Sequence, residues 1–147
     1  MLRLTQEADD ALRIVWLLAQ SEDVQDAGTL AQRAGIAPRF ALKILRKLRE
    51  GGVVNSKKGS AGGYQLARDP GEITVLQLLE LIDGPLHINR CLEDGYVCSR
   101  MGVQTERCVV HRLFCEVSSQ LSAQLARVTL QELMQRDAAY IREHCSE

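Results

Sequence analysis

The chain has 147 residues, 46% of them apolar, which is enough for one compact domain with a real core. Only 4% are aromatic, so that core must be built from Leu, Val, Ile and Ala. No stretch approaches the roughly 18 apolar residues that span a bilayer, and the opening MLRLTQEADDALRIVWLLAQ breaks its apolar run with acids, against a signal peptide. A cytoplasmic protein with no membrane partner is expected. The net charge of −1 conceals an asymmetry: residues 29–68 hold nine bases, from Arg33 to Arg68, against the single acid Glu50, a segment charge of +8 that leaves −9 to the rest. A local basic block in an otherwise acidic chain is the footprint of a polyanionic partner.

In chain order, a first helix is expected over residues 5–20, with Leu4, Ala8, Leu12, Val15, Trp16 and Ala19 as its apolar stripe. Three later helices are announced by capping boxes, a Thr with Gln or Glu three residues on. Thr29 with Gln32 opens a short helix closed by Gly35. Thr74 with Gln77 opens VLQLLELID, closed by Gly84-Pro85. Thr129 with Glu132 opens the last, LQELMQRDAAYIRE. Between the first two, Pro38 suits a first helical position, and residues 39–50 read as a strong helix stopped by Gly51-Gly52. VVNSKK and GYQLAR read as two short strands joined through Gly59-Ser60-Ala61-Gly62. The pattern fails over residues 86–107, and a long helix without Gly or Pro follows over about 108–127. The fold class is therefore mainly α with a small β-hairpin: a winged helix-turn-helix plus a long helix. The expected organisation is a DNA-binding head over 1–84, a cysteine loop over 85–108, and a dimerisation helix with a C-terminal helix over 109–147.

On a helical wheel, Arg39, Lys43, Arg46 and Lys47 gather opposite Phe40, Ala41, Ile44, Leu45 and Leu48. A helix with four bases and no acid on its outer arc is suited to the major groove; a solvated surface helix more commonly mixes both signs. Arg39, near the N-terminal end, is the first candidate for reading bases, with Lys43 one turn later. Arg46, Lys47 and Arg49 are candidates for phosphate. Lys57 and Lys58 at the hairpin tip are candidates for phosphate or minor-groove contact.

Five cysteines in a chain expected to be cytoplasmic point to metal or redox chemistry rather than disulfides. Four of them lie in Cys91-LEDGYV-Cys98-SRMGVQTER-Cys108-VV-His111-RLF-Cys115. His111 follows Cys108 by about one helical turn and Cys115 by one more, on one face. Three cysteines and one further donor suit a tetrahedral zinc or an iron–sulfur cluster. A metal-free thiol switch and inert thiols are the alternatives on spacing alone. Cys145 and His144, in the C-terminal tail, are read as non-ligands, and His87 as an exposed loop residue.

Over nearly its whole length the chain resembles the bacterial iron–sulfur-cluster regulators of the IscR and NsrR type. The matching segments are LTQEADDALR, LAQRAGIAPRFALKILRKLREGGVVNSKKGSAGGYQLAR, ITVLQLLELIDG and the cysteine loop; GSAGGYQLAR and CVVH are the most specific. The resemblance implies a homodimer on a palindromic promoter site of double-stranded DNA. It implies a two-iron or four-iron cluster held by Cys91, Cys98 and Cys108. It leaves two fourth ligands open, with Asp9 the preferred one because a bond across the subunits would tie sensing to dimer geometry. Asp9 matches a first-helix carboxylate donated by the other subunit, with Glu7 and Asp10 nearby as substitutes; His111 matches the histidine after the third cysteine. The chain departs from the pattern in its long gap from Cys98 to Cys108 and in the extra thiol Cys115, which can replace Cys98 or act after cluster loss.

On the long helix, Leu113, Phe114, Val117, Leu121, Leu125 and Val128 form one stripe. A second copy of the chain is its expected cover. The reading is a dimeric transcriptional regulator, acting as a repressor, that senses redox state, nitric oxide or iron–sulfur status. The rivals are a winged-helix regulator with zinc or free thiols and an assembly adaptor that does not bind DNA. Nothing in the sequence supports an enzyme: there is no Gly-rich phosphate loop and no nucleophile–His–acid arrangement.

Overall fold

The computed structural model describes residues 4–98, 100 and 105–144. Helix α1, Gln6–Ala19, is capped by Thr5, whose side chain accepts from the Ala8 amide. It is the hub of the head, packing on α2 (Ala27–Ala34), α3 (Pro38–Glu50), α4 (Val75–Asp83) and α6 (Leu130–His144). Being covered from several sides, it buries more than one stripe: Ala8, Ala11, Ile14, Val15, Leu17 and Leu18 are buried. Of the expected stripe, Leu12, Trp16 and Ala19 are only partly buried, and Leu4, before the helix, is exposed.

The start of α2 differs from expectation. Asp26, not Thr29, is its N-cap: the Asp26 carboxylate accepts from the Thr29 amide at 3.0 Å and from the Thr29 hydroxyl. An aspartate three residues earlier takes the role that the Thr29–Gln32 spacing suggested, and the helix gains a turn. Gly35 ends it in the left-handed conformation, φ +70°. Pro38 takes the first position of α3, and Ala41, Ile44, Leu45 and Leu48 are fully buried beneath it. The Thr74–Gln77 capping box of α4 is present in both directions. The Thr129 hydroxyl likewise accepts from the Glu132 amide at the start of α6.

Strands β1 (Val54–Lys57) and β2 (Gly63–Leu66) form the antiparallel wing, with Lys57 opposite Gly63. The wing is tied to the head: Gln25 N donates to Tyr64 O at 2.9 Å, and Tyr64 N to Gln25 O at 2.8 Å. Among the described residues of the 86–107 segment, Arg90–Leu92 and Thr105–Arg107 form 3₁₀ turns. Helix α5, Val109–Arg127, then leaves the head, and Ser118 is its one buried residue among those described. The chain returns through Val75 N to Val128 O at 2.8 Å and Leu130 N to Ile73 O at 3.0 Å, which seats Leu130, fully buried, in the same core as α1 and α3. No helix among the described residues is long and apolar enough to cross a membrane.

Candidate nucleic-acid interface and cysteine site

The cationic face of α3 is turned away from the core because the opposite face, Ala41, Ile44, Leu45 and Leu48, is locked into it. Its cations are not all free. One carboxylate, Glu7 on the first turn of α1, holds two of them, Lys43 Nζ at 2.9 Å and Lys47 Nζ at 2.7 Å. Lys43 also sits over the Phe40 ring, 5.4 Å from its centroid. Arg46 pairs with Glu50 at 2.9 Å, but both are well exposed, so that pair is worth little. The side chains of Arg39, Arg49, Lys57 and Lys58 make no ion pair or hydrogen bond among the described residues. The sequence reading missed Glu7 as a partner of the recognition helix, because the contact joins residues 36 and 40 positions apart and no local pattern encodes it. The two lysines hold the Glu7 carboxyl below its usual range, Lys47 most strongly, while burial opposes them.

The second site is a cavity of about 410 Å³ where the irregular segment meets the start of α5. Cys91, Cys98, Cys108 and His111 all line it, with Tyr96 and Phe114 as apolar walls and Arg90 and Arg100 as cations. Local structure places each donor. Asn89 caps the first 3₁₀ turn by accepting from the Cys91 amide at 3.1 Å. Cys108 is the N-cap residue of α5 but makes no side-chain cap bond, so its sulfur stays available. His111 follows one turn on. Its Nδ1 is buried without a hydrogen-bond partner, while its Nε2 lies 3.4 Å from Cys115 Sγ. If Nε2 carries the proton and donates it to that sulfur, the Nδ1 lone pair remains free to ligate.

Burial pushes the Cys91 thiol up, and the charges of Cys115, Cys108 and Cys98 push it further. Several thiolates crowded together need a cation among them. The donor set fits an iron–sulfur cluster: Cys91, Cys98, Cys108 and His111, whose Nδ1 has no hydrogen-bond partner, line one cavity together with Arg90 and Arg100. Among the described residues, no three His, Cys, Asp or Glu converge closely enough to hold a single ion.

The remaining predicted ligands lie elsewhere. Cys115 is exposed, does not line the cavity and meets it only through His111. Asp9 is outside it too: its carboxylate pairs with Arg13 Nε at 2.9 Å, in a separate depression beside Gly35 and Phe40. Its suggested substitutes are engaged, Glu7 by the two lysines and the buried Asp10 by Gln6 Nε2 at 2.9 Å. His87 lies exposed in a loop. Cys145 and the His144 side chain lie outside the described residues.

The HTH-type transcriptional regulator IscR of Xenorhabdus nematophila is 30% identical over 106 residues, 71% of this chain, and IscR of Klebsiella pneumoniae is 31% identical over 106 residues. The matched stretch spans 61% of the length of those relatives. Among solved structures, CymR, the global cysteine regulator of B. subtilis, superposes with a TM-score of 0.75 at 23% identity, over 92% of this chain and 98% of that one. IscR of T. potens superposes at 0.74 and 21%, over 92% and 88%. These two share the fold, a winged helix with a long helix behind it. The relatives are transcriptional regulators, not enzymes. The Rrf2 family pattern, described as an iron-dependent transcriptional regulator, matches residues 4–136, and the chain belongs to that family.

Proposed function

We propose that this chain is a homodimeric DNA-binding repressor that carries an iron–sulfur cluster on Cys91, Cys98 and Cys108 and responds to its state. The observation that carries the reading is the convergence of these three sulfurs and the unpartnered His111 Nδ1 on one cavity. Donors spread around a cavity suit a multi-iron cluster better than one zinc, whose four ligands must meet at about 2.3 Å from a single centre. His111 supplies the fourth ligand within one chain. Asp9 can do so only from a partner subunit, after leaving Arg13. The cluster, when bound, supplies a redox- and nitric-oxide-sensitive group; the protein supplies its ligands, a partly apolar wall and two cations.

The head over 1–84 reads DNA, the loop over 85–108 senses, and 109–147 joins the copies. On this reading Arg39 meets base edges, Lys43, Arg46 and Lys47 meet the groove walls, and Lys57 and Lys58 meet the backbone beside the wing. Leu113 and Val117 on α5 are 54% and 41% exposed. With the partly buried Phe114 and Leu121 they form a face that a second copy covers, and two heads then meet two half-sites of a palindrome. The test is anaerobic purification with iron and sulfide analysis. Colour and iron are expected, and both are expected to be lost in Cys91→Ala and Cys108→Ala. A colourless, iron-free protein that still binds its promoter fully and releases it on signal refutes the reading.

A second reading is thiol sensing. The exposed Cys115 beside an imidazole favours it, because a neighbouring histidine activates a thiol. Loss of regulation in Cys115→Ala with iron content unchanged selects it.

A further inference from the structure

We infer that Glu7 is an internal stand-in for DNA phosphate, occupying Lys43 and Lys47 in the free protein so that they do not bind duplexes of arbitrary sequence. The inference rests on the DNA-binding reading and goes beyond it. The Glu7 side chain is 17% exposed and sits in the first turn of α1. That helix is held against α3 through the buried core, so the carboxylate cannot follow its partners away. Each oxygen takes one ammonium: Oε2 meets Lys43 at 2.9 Å and Oε1 meets Lys47 at 2.7 Å. The two lysines differ from the other cations of the interface. Among the described residues Arg39, Arg49, Lys57 and Lys58 meet no carboxylate, and the Arg46–Glu50 pair lies in open solvent, where phosphate displaces it at little cost.

A loosely bound duplex offers Lys43 and Lys47 only what Glu7 already gives, a single anionic oxygen each, and must also leave a poorly solvated carboxylate unpaired. The exchange therefore gains nothing in a non-specific encounter. At a cognate site α3 seats in the groove and the phosphates arrive in fixed register, so the exchange is coupled to recognition. Glu7 thus raises the ratio of specific to non-specific binding while contacting no DNA.

The test is Glu7→Gln, close to isosteric, measured by salt-dependent binding to a mixed-sequence duplex and to a duplex enriched from a random library by the wild-type protein. Two released lysines steepen the non-specific salt slope by up to about 1.8. The variant's non-specific affinity then falls about ten times further than wild type's between roughly 50 and 200 mM salt. At the low-salt end it exceeds wild type by about tenfold, while affinity for the enriched duplex rises less. Adding Lys43→Ala and Lys47→Ala must abolish the gain. An unchanged slope, or a gain that survives the lysine substitutions, overturns the inference and leaves the DNA-binding reading standing; wild-type protein that binds no duplex at low salt overturns both. Lysine side-chain NMR of the wild-type chain tests the same point without a variant. Adding mixed-sequence duplex should move the Lys57 and Lys58 ammonium signals and leave those of Lys43 and Lys47 in place. Equal movement of all four refutes it.

Discussion

Gly63 should be the least replaceable glycine of the wing. Its φ is +155°, and a Cβ there would stand 2.4 Å from Gln25 O and 2.7 Å from Gln25 C. Both are backbone atoms, so no side chain can swing aside. Gly63→Ala must push β2 away from the Gln25 bridge and lose its two hydrogen bonds of 2.9 and 2.8 Å. Those are worth about 1 kcal/mol each, and the backbone strain adds about 1–2 kcal/mol. The expected cost is about 3–4 kcal/mol, or roughly 10 °C in Tm for a chain of this size. Gly59→Ala is the control: φ is +110° but no atom lies within 4 Å of its Cβ, so strain alone remains, about 1 kcal/mol or roughly 3 °C. Calorimetric melts of the two variants measure the difference. Because Lys57 pairs with Gly63 across the hairpin, Gly63→Ala should also weaken duplex binding more than Gly59→Ala. If the two variants melt within about 3 °C of each other, the steric argument is wrong.

Other outcomes follow from the same geometry. Ile44→Ala opens a cavity at a fully buried position and should cost about 2–5 kcal/mol in denaturant melts; a cost under 1 kcal/mol would mean that the core collapses around it. Leu113→Lys with Val117→Asp should leave the head folded by circular dichroism but halve the native mass to that of one 16.4 kDa chain; an unchanged dimer moves the interface off α5. The Glu7 carboxyl is held below its ordinary value, so its stabilising contribution is fully present above the ordinary glutamate range and is lost as pH falls through the lowered value. The stability gap between wild type and Glu7→Gln should therefore be constant from about pH 6 to 8 and close on acidification below about pH 4; a gap of the same size at both ends refutes the pairing. If the proposed cluster is bound, His111→Ala should change its visible spectrum more than Asp9→Ala when the fourth ligand comes from the same chain, and the reverse order assigns that ligand to the partner subunit.

Much of this was legible in the sequence because it is local. The Thr74–Gln77 box, Pro38 at the start of α3 and the Gly35 stop each act within one helical turn, and each is found where its residue type places it. Local rules also compete. Asp26 and Thr29 both suit a helix start, and only the approach of β2 to Gln25 shows which one the chain uses. The cationic arc of α3 was readable, but its neutralisation by Glu7 was not, since that contact depends on how two helices cross. The convergence of Cys91, Cys98 and Cys108 with His111 was suggested by their order along the chain. That Cys115 addresses the imidazole and stays off the cavity wall was not, because three donors spaced one turn apart on a helix look alike until the wall is drawn.

The long helix is anchored to the head at two places far apart along its length. Near its middle, Ser118 Oγ donates to Leu86 O at 2.9 Å, just after α4; beyond its end, the Ile73–Leu130 and Val75–Val128 bonds fasten it just before α4. A rod pinned on both sides of one short helix cannot slide past it. Tilting the rod at its sulfur-rich end must therefore turn α4, and with it α1 and the groove-facing helix, as one piece. The hairpin is seated on that piece by the buried Val54 and by the two Gln25–Tyr64 backbone bonds, so its exposed tip, residues 57–61, is the part left to adjust to the duplex.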